Sequence, residues 1–178
     1  MTKYSTTAIV LHWLMAAGLA GLFVFGLYMT DLPFSPQKLQ FYSWHKWAGV
    51  ILFMLAVGRI LWRLTRTPPP LPGTMSRRMQ AIAHAGHGLL YLLMLAVPFS
   101  GWLMSSAKGT QTVLFGILPL PDLLARNKEL GDLLASLHWS LNVALAAVVA
   151  GHAAAALKHH FVDKDDVLTR MLPGRHAR

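Results

Sequence analysis

The chain has 178 residues, of which 54% are hydrophobic and only 13% are charged, and it contains no cysteine. This composition excludes intrinsic disorder and fits a soluble fold poorly, because too little charge remains to cover a surface. The lack of cysteine excludes disulfides, thiolate metal sites, iron–sulfur clusters and covalent haem attachment. The net charge of +9 fits either nucleic-acid binding or orientation in a membrane, and the positions of the charges distinguish the two.

Four apolar stretches predict membrane-spanning helices at residues 8–29, 44–64, 81–106 and 133–157. Each has about 20 residues or more, which at about 1.5 Å per residue crosses a hydrocarbon core of about 30 Å. The first stretch is too long for the core of a signal peptide, so we expect an uncleaved helix. The predicted fold class is therefore all-α, an integral membrane four-helix bundle that forms one domain over residues 1–178.

Runs rich in proline and glycine separate these stretches, at residues 31–38, 67–73 and 107–130. Proline lacks a backbone N–H and interrupts a helix, so we expect these runs to be loops. Pro98 falls inside the third stretch, where we expect it to kink the helix.

Basic residues are distributed unequally over the two sides of the predicted bundle. The side with the N-terminus, the second loop and the C-terminal tail carries eleven of the sixteen Lys and Arg residues, and the other side carries five. Basic residues favour the cytoplasmic side, so both termini are expected there. This topology accounts for most of the net charge and leaves little reason to expect nucleic-acid binding.

Nine histidines are unusual in so small a membrane protein, because ionisable side chains inside a bilayer are costly and mark function. His138 and His152 are 14 residues apart in the fourth stretch, so they point to nearly the same face about 21 Å apart. We expect His45, at the start of the second helix, at the depth of His138. His12, about one turn inside the first helix, is expected at the depth of His152. The pattern predicts two pairs of facing histidines, stacked across the bilayer.

Two facing imidazoles inside lipid suit haem iron, which needs only two axial ligands because the porphyrin supplies four nitrogens. Zinc requires three or four ligands, and the interiors of these spans offer no cysteine or carboxylate to complete such a set. A single membrane histidine is as often a hydrogen-bonded core residue, but four at two matched depths favour a bundle that encloses two haems.

Other basic side chains are expected near the cytoplasmic haem. Arg59 either pairs with a haem propionate or extends to the membrane interface. His84 and His87 share one face of the third helix, and His159 lies about two turns beyond the ligand in the fourth. Titratable histidines between a redox cofactor and the cytoplasm suggest an acceptor that takes up protons, such as a quinone. The role of His84 stays open, and His160 is expected to be an exposed tail residue.

Six segments carry a resemblance to a known family, and the resemblance extends over essentially the whole chain. They are KYSTTAIVLHW from Lys3, His45 in the second helix, VGRILWRL from Val57, AHAGHGLLYLLMLAVPFSG from Ala83, SLHWSLN from Ser136 and GHAAAALKHHFVDKDDVLTRMLP from Gly151. On these motifs the chain resembles the prokaryotic cytochrome b561 family, and within it the superoxide oxidase type. The resemblance implies two haems b, with His12 paired with His152 and His45 paired with His138 as axial ligands of the iron.

The resemblance also implies a reaction at each membrane face. It implies ubiquinone binding at the cytoplasmic side, carried here by His87 and His159. It implies oxidation of superoxide at the periplasmic side, where Lys108 matches a basic position of the third loop. Lys108, Lys46 and Arg126 would attract an anion there, unless they are ordinary solvated charges.

The expected function is therefore that of a superoxide:ubiquinone oxidoreductase in the bacterial inner membrane. A second hypothesis is an electron-conduit subunit that links the quinone pool to a dehydrogenase or a hydrogenase. A third is a transporter of zinc or another divalent ion that uses the histidine pairs. The expected partners are the lipid bilayer, ubiquinone, and superoxide or another one-electron donor, with a homo-oligomer or a redox partner protein left open.

Overall fold

The computed structural model describes residues 3–66, 68–73 and 75–174. Its four long helices, each apolar enough to cross a membrane as predicted, are α1 (Thr6–Asp31), α2 (Pro36–Thr65), α3 (Arg77–Ala107) and α4 (Lys128–Lys158). The loop between α3 and α4 carries a short antiparallel hairpin of β1 (Val113–Leu114) and β2 (Leu118–Pro119). A π-helical turn (His159–Asp163) continues α4, and a 3-10 turn (Thr169–Met171) follows it.

Each long helix begins at a polar cap that precedes the predicted start. Side-chain oxygens accept a hydrogen bond from the backbone N–H three residues on, at Ser5, Ser35, Ser76 and Asn127. These caps satisfy one of the N–H groups that a helix start leaves unpaired. The starts predicted at residues 8, 44, 81 and 133 are therefore wrong by two to eight residues. The apolar pattern locates the membrane segment and does not include the polar turns in front of it.

The largest error concerns α2, which begins at Pro36, inside the run predicted to be a loop. Proline is favourable in the first helical turn, where its missing N–H would have no partner. His45 is therefore the tenth residue of α2 instead of lying at its start, and His138 is the eleventh residue of α4 instead of lying one turn inside. The additional turns extend past the apolar segments, so the depth of both histidines within those segments is unchanged.

The helices pack in chain order, α1 against α2, α2 against α3 and, most extensively, α3 against α4. Glycine lets α1 and α2 approach closely, since a Cβ at Gly18 would lie 2.8 Å from a methyl group of Leu52. Among the described residues, α1 and α4 do not pack closely against each other. The bundle therefore leaves space between its first and last helices.

An apolar layer fills the middle of the bundle. It centres on Leu93 and Val97 of α3 and Leu145 of α4, with further leucine, methionine and valine side chains packed around them. Leu145 lies midway between the two histidines of α4, about 10 Å along the axis from either one. The layer therefore separates two histidine levels.

At each end of the bundle, a tryptophan side chain donates a hydrogen bond to the backbone of a distant segment. At the end that carries both termini, which we call the terminal end, Trp13 Nε1 donates to Met171 O at 2.7 Å. At the opposite end, which we call the loop end, Trp47 Nε1 donates to Val113 O at 2.7 Å. Part of the charge assigned to the terminal end lies outside the described residues, at Arg175 and Arg178.

Candidate functional site

Three helices bring three imidazoles together toward the terminal end, and we call His12, His87 and His152 the three-histidine cluster. The ring centres of His12 and His152 are 6.1 Å apart, and those of His87 and His152 are 5.4 Å apart. All three side chains are partly buried. His12 and His152 therefore face each other across the space between α1 and α4.

Arg59 of α2 contacts this cluster. One guanidinium nitrogen donates to Ala8 O at 3.0 Å, and another lies 3.3 Å from His12 Nδ1. A guanidinium only donates, so Nδ1 accepts and the proton of the neutral His12 ring is on Nε2. An imidazole that binds iron through Nε2 carries its proton on Nδ1, and Arg59 must then turn to another acceptor.

His45 and His138 form the second level, and we call them the two-histidine cluster. His138 Nδ1 lies 3.0 Å from both Ser100 Oγ and Val97 O, and the Ser100 hydroxyl already donates to Val97 O at 2.7 Å. Both oxygens are thus acceptors for His138, so its Nδ1 carries the proton. The lone pair of Nε2 remains free for a metal, as in metal-bound histidines whose other nitrogen donates a hydrogen bond.

His45, the second residue of this cluster, has a ring nitrogen without a hydrogen-bond partner among the described residues. His45 of α2 lies toward the same end of the bundle, where its ring centre is 6.3 Å from that of Phe25. Its Nδ1 is buried and lacks a hydrogen-bond partner within the described part of the chain, which is costly for a polar nitrogen. Two glycines leave room beside the rings, since a Cβ would lie 3.4 Å from His45 Cε1 at Gly26 and 3.1 Å from His138 Cε1 at Gly101.

These residues fit axial ligation of haem iron. Two imidazoles that bind one metal through nitrogens about 2.0 Å away have ring centres about 6 Å apart, close to the His12–His152 separation. The free Nε2 of His138 suits the same chemistry, whereas the nitrogen of His45 without a partner in the described chain is Nδ1. Over the residues described, neither cluster gathers three metal-ligating atoms within mutual reach, so both suit iron with two protein ligands better than zinc.

A cavity of about 340 Å³, which we call the terminal cavity, lies next to the three-histidine cluster. Its walls come from the N-terminal segment, the end of α2, the proline-rich loop and the start of α3, namely Tyr4, Arg63, Pro68, Pro69, Pro70, Leu71, Gln80, His84 and His87. His87 belongs to both the cavity and the cluster. A molecule in the cavity would therefore lie one imidazole away from His152.

His159 is not among the residues that line the terminal cavity. Lys164 adopts a left-handed conformation with φ 54°, which turns the chain back toward α4. This turn places Asp165 Oδ2 2.6 Å from His159 Nδ1, and Asp163 Oδ2 lies 3.2 Å from the same nitrogen. The group resembles a cation site, but Lys158 Nζ, 2.6 Å from Asp163, already supplies a positive charge.

A second cavity, of about 330 Å³, lies at the loop end, and we call it the loop cavity. Lys108, Arg126 and Lys128 line it together with one carboxylate, Asp132, which lies 3.5 Å from Lys108. Of the three basic residues predicted to form a patch, Lys108 and Arg126 thus share this cavity.

Lys46, the third residue of the predicted patch, is held just outside the loop cavity. Its Nζ donates to Thr110 O at 2.7 Å and lies 3.3 Å from Thr110 Oγ1. Thr110 itself lines the cavity. Lys46 therefore positions the wall of the cavity through Thr110.

Several residues of these sites escape prediction from the sequence alone. Ser100 and Gly101 stand in the motif PFSG, whose small polar and glycine residues offer a signal for close packing. Lys128 is hidden because it falls in a run expected to be a loop. Asp165 is found only through the left-handed turn that precedes it.

The chain is similar to known proteins over nearly its whole length. The family profile described as prokaryotic cytochrome b561 matches residues 3–174. Cytochrome b561 homolog 2 of Escherichia coli strain K12 is 38% identical over 96% of this chain and 91% of its own. The probable superoxide oxidase CybB of Yersinia pestis is 33% identical over 98% of each chain. Cytochrome b561 homolog 1 of Escherichia coli strain K12 is 28% identical over 98% of this chain and 99% of its own.

The close approach of Gly101 to the His138 ring provides a test of whether a haem binds at this level. Replacing Gly101 with valine puts a side chain 3.1 Å from the His138 ring, and this clash should reduce the haem bound per purified chain by about half. The pyridine haemochrome spectrum, normalised to protein, measures it. The control is Gly88→Val, also in α3, where a Cβ meets nothing within 4 Å. Equal haem in the two variants would show that Gly101 does not border a haem.

Proposed function

The chain belongs to the prokaryotic cytochrome b561 family, and on this premise we propose that it is a superoxide:ubiquinone oxidoreductase. Members of the family are membrane proteins that bind haem b and transfer electrons. In this proposal, superoxide is oxidised at the loop end and ubiquinone is reduced at the terminal end. Beyond membership of the family, we propose the identity of the donor, the identity of the acceptor and the presence of two haems.

The arrangement of α4 is the observation that carries the proposal. His138 and His152 lie on one helix at two levels, with an apolar layer between them. The ring centre of His12 lies 6.1 Å from that of His152, and we place His45 at the level of His138. We assign His12 with His152, and His45 with His138, as the axial ligands of two haems. Haem b held by these histidines would supply a one-electron carrier.

The surrounding side chains determine how these ligands are presented. Ser100 and Val97 hold the proton of His138 on Nδ1, which orients the ring for binding through Nε2. The leucines and valine of the apolar layer exclude water between the two levels. The layer offers a proton no polar side chain on which to cross between the two levels.

The orientation follows from the basic residues. Arg63, Arg66, Arg77 and Arg78 all lie at the terminal end, where α2 finishes and α3 begins, and basic residues favour the cytoplasmic face. We therefore propose a bacterial inner-membrane protein with both termini in the cytoplasm and the loop end in the periplasm. The acceptor site is then cytoplasmic, where protons for quinone reduction are available.

The loop cavity suits a small anionic donor. Three cationic side chains, Lys108, Arg126 and Lys128, face a single carboxylate, Asp132. A cleft with an excess of one sign of charge raises the local concentration of an oppositely charged substrate and its rate of association. Superoxide is such an anion, and a 33% identical relative is named a probable superoxide oxidase.

Neutralising the loop cavity tests this donor. We expect the double variant Lys108→Gln/Lys128→Gln to reduce the second-order rate of haem reduction by superoxide about tenfold at low ionic strength, and to weaken its salt dependence. Pulse radiolysis with absorbance detection of haem reduction measures the rate. The control is Arg77→Gln, which removes a positive charge at the terminal end and should leave the rate unchanged.

The wild-type protein provides the second comparison in the same experiment. Reduction by superoxide that is slow and insensitive to salt would exclude superoxide as the donor. It would leave the alternative of an electron-conduit subunit that receives electrons from a protein partner.

The acceptor assignment rests on the terminal cavity. His87 lines this cavity and also contacts His152, so it connects a bound quinone to the nearer proposed haem. His159 is held by Asp163 and Asp165 outside the lining. A direct role for His159 in quinone binding stays a prediction.

Arg59 is proposed to pair with a haem propionate. Its contact with His12 Nδ1 is incompatible with a proton on that nitrogen, so ligation of iron through Nε2 frees the guanidinium for another acceptor. A carboxylate is the preferred partner of a guanidinium because the two form paired, charge-assisted hydrogen bonds.

Removing the charge of Arg59 should lower one haem reduction potential. Arg59→Met takes a positive charge away from a nearby haem, which favours ferric iron and lowers its midpoint potential by tens of millivolts, on the order of the Coulomb energy of one partly screened charge. Arg59→Lys should restore most of the shift. The control is Arg66→Met, whose guanidinium stacks on Trp62 at 5.5 Å. Redox titration followed in the α-band measures the potentials, and no shift in Arg59→Met would remove Arg59 from the haem.

A further inference from the structure

We propose that His84, together with His87, donates the hydrogen bonds that hold the two carbonyl oxygens of a ubiquinone headgroup in the terminal cavity. The inference rests on the proposed function, because it takes the acceptor to be a quinone. It adds a binding residue, His84, whose role the sequence leaves open.

The two imidazoles are placed to act together. His84 and His87 are three residues apart on α3 and both line the cavity, so their Cβ atoms lie about 5–6 Å apart on one face of the helix. The histidines that form hydrogen bonds within the described residues are His12, His138 and His159. The ring nitrogens of His84 and His87 are thus available to a ligand, and a p-quinone carries an acceptor oxygen at each end of its ring.

Two of the other polar side chains that line the cavity, Gln80 and Arg63, have partners, while Tyr4 adds a hydroxyl to its wall. Gln80 Nε2 donates to Met75 O at 3.1 Å. The Arg63 guanidinium lies 5.7 Å from the centre of the Tyr91 ring, in the range of a cation–π contact. A cation–π contact uses no N–H group, so the wall offers a headgroup N–H donors from Arg63 as well as from the two histidines.

The opposite wall is apolar and rigid. Pro68, Pro69 and Pro70 have no backbone N–H and fixed φ angles, so this wall offers a quinone ring an unreactive face. Arg170 braces the loop, since its Nη1 donates to Pro70 O at 2.6 Å and its Nη2 pairs with Asp166 at 2.7 Å. The C-terminal segment thereby holds the wall in place.

The size and position of the cavity suit a headgroup rather than a whole lipid quinone. Its volume of about 340 Å³ is near the lower end of the range for small-molecule sites, so the isoprenoid tail must leave toward the bilayer. His84 is exposed, while His87 is partly buried and contacts His152. We therefore place His87 at the inner carbonyl and His84 at the outer one.

Binding of decylubiquinone to the oxidised, haem-loaded protein in detergent tests the proposal by calorimetric titration. His84→Leu removes one hydrogen bond and should raise the Kd about tenfold. His84→Gln keeps an N–H donor and should stay within about threefold of wild type. The control is His160→Leu, whose ring packs on Phe161 at 4.8 Å outside the cavity lining and which should bind like wild type.

A second measurement locates the quinone without any substitution. A photoreactive azido-quinone, activated on the wild-type protein, should label the peptide of α3 that contains His84 or the proline-rich loop, and excess decylubiquinone should suppress the label. Labelling confined to the segment around His159, or unchanged affinity in His84→Leu, would overturn the assignment of His84.

These outcomes separate the inference from the function on which it rests. Wild-type protein that binds decylubiquinone while His84→Leu binds it equally well leaves ubiquinone as the acceptor and removes only His84. Wild-type protein that binds no decylubiquinone and takes no label overturns both the acceptor and this site.

Discussion

The bundle depends on one constraint, that an imidazole inside hydrocarbon must be hydrogen-bonded or bound to a ligand. No water is available there to satisfy its ring nitrogens, and an unpaired polar group costs several kcal/mol. His138 meets part of this need with Ser100 and Val97, but it keeps one nitrogen free. His45 keeps a buried nitrogen without a partner in the described chain. The clusters therefore suit a ligand such as the haem b that the family binds.

The rest of the molecule is arranged around α4, which contributes one histidine to each cluster. The apolar layer around Leu145 keeps them apart, and each end of the bundle carries its own cavity. The loop cavity is basic, and the terminal cavity combines two imidazoles with a proline wall. This division suits a protein that exchanges electrons with an anion on one side and with a proton-consuming acceptor on the other.

Much of this arrangement is predictable from periodicity. Four apolar runs predict the four spans because only helices of that length can cross a bilayer with their backbone groups satisfied. The 14-residue spacing of His138 and His152 predicts two levels on one face of α4, since it is close to a whole number of turns. Helix starts are less predictable from apolar pattern, but Ser5, Ser35 and Asn127 are typical capping residues that mark them.

Helical periodicity does not predict contacts between segments that are distant in the sequence. Asp165 reaches His159 only because Lys164 takes a left-handed conformation, and no helical periodicity encodes that turn. The sequence alone does not show that Lys46 has a partner, because Thr110, which accepts from its ammonium group, lies in a distant loop. His84 becomes a candidate ligand only when the proline-rich loop folds over it. In each case the deciding partner lies in a loop or tail, where hydrophobic pattern carries no information.

The number of haems b per chain in the purified protein tests most directly whether both histidine levels bind a haem. The pyridine haemochrome spectrum gives haem, and amino-acid analysis gives protein, from the same detergent-solubilised sample. If each histidine level of α4 binds one haem, the sample contains two haems b per chain. One haem per chain, or none after haem has been supplied during expression, would contradict it.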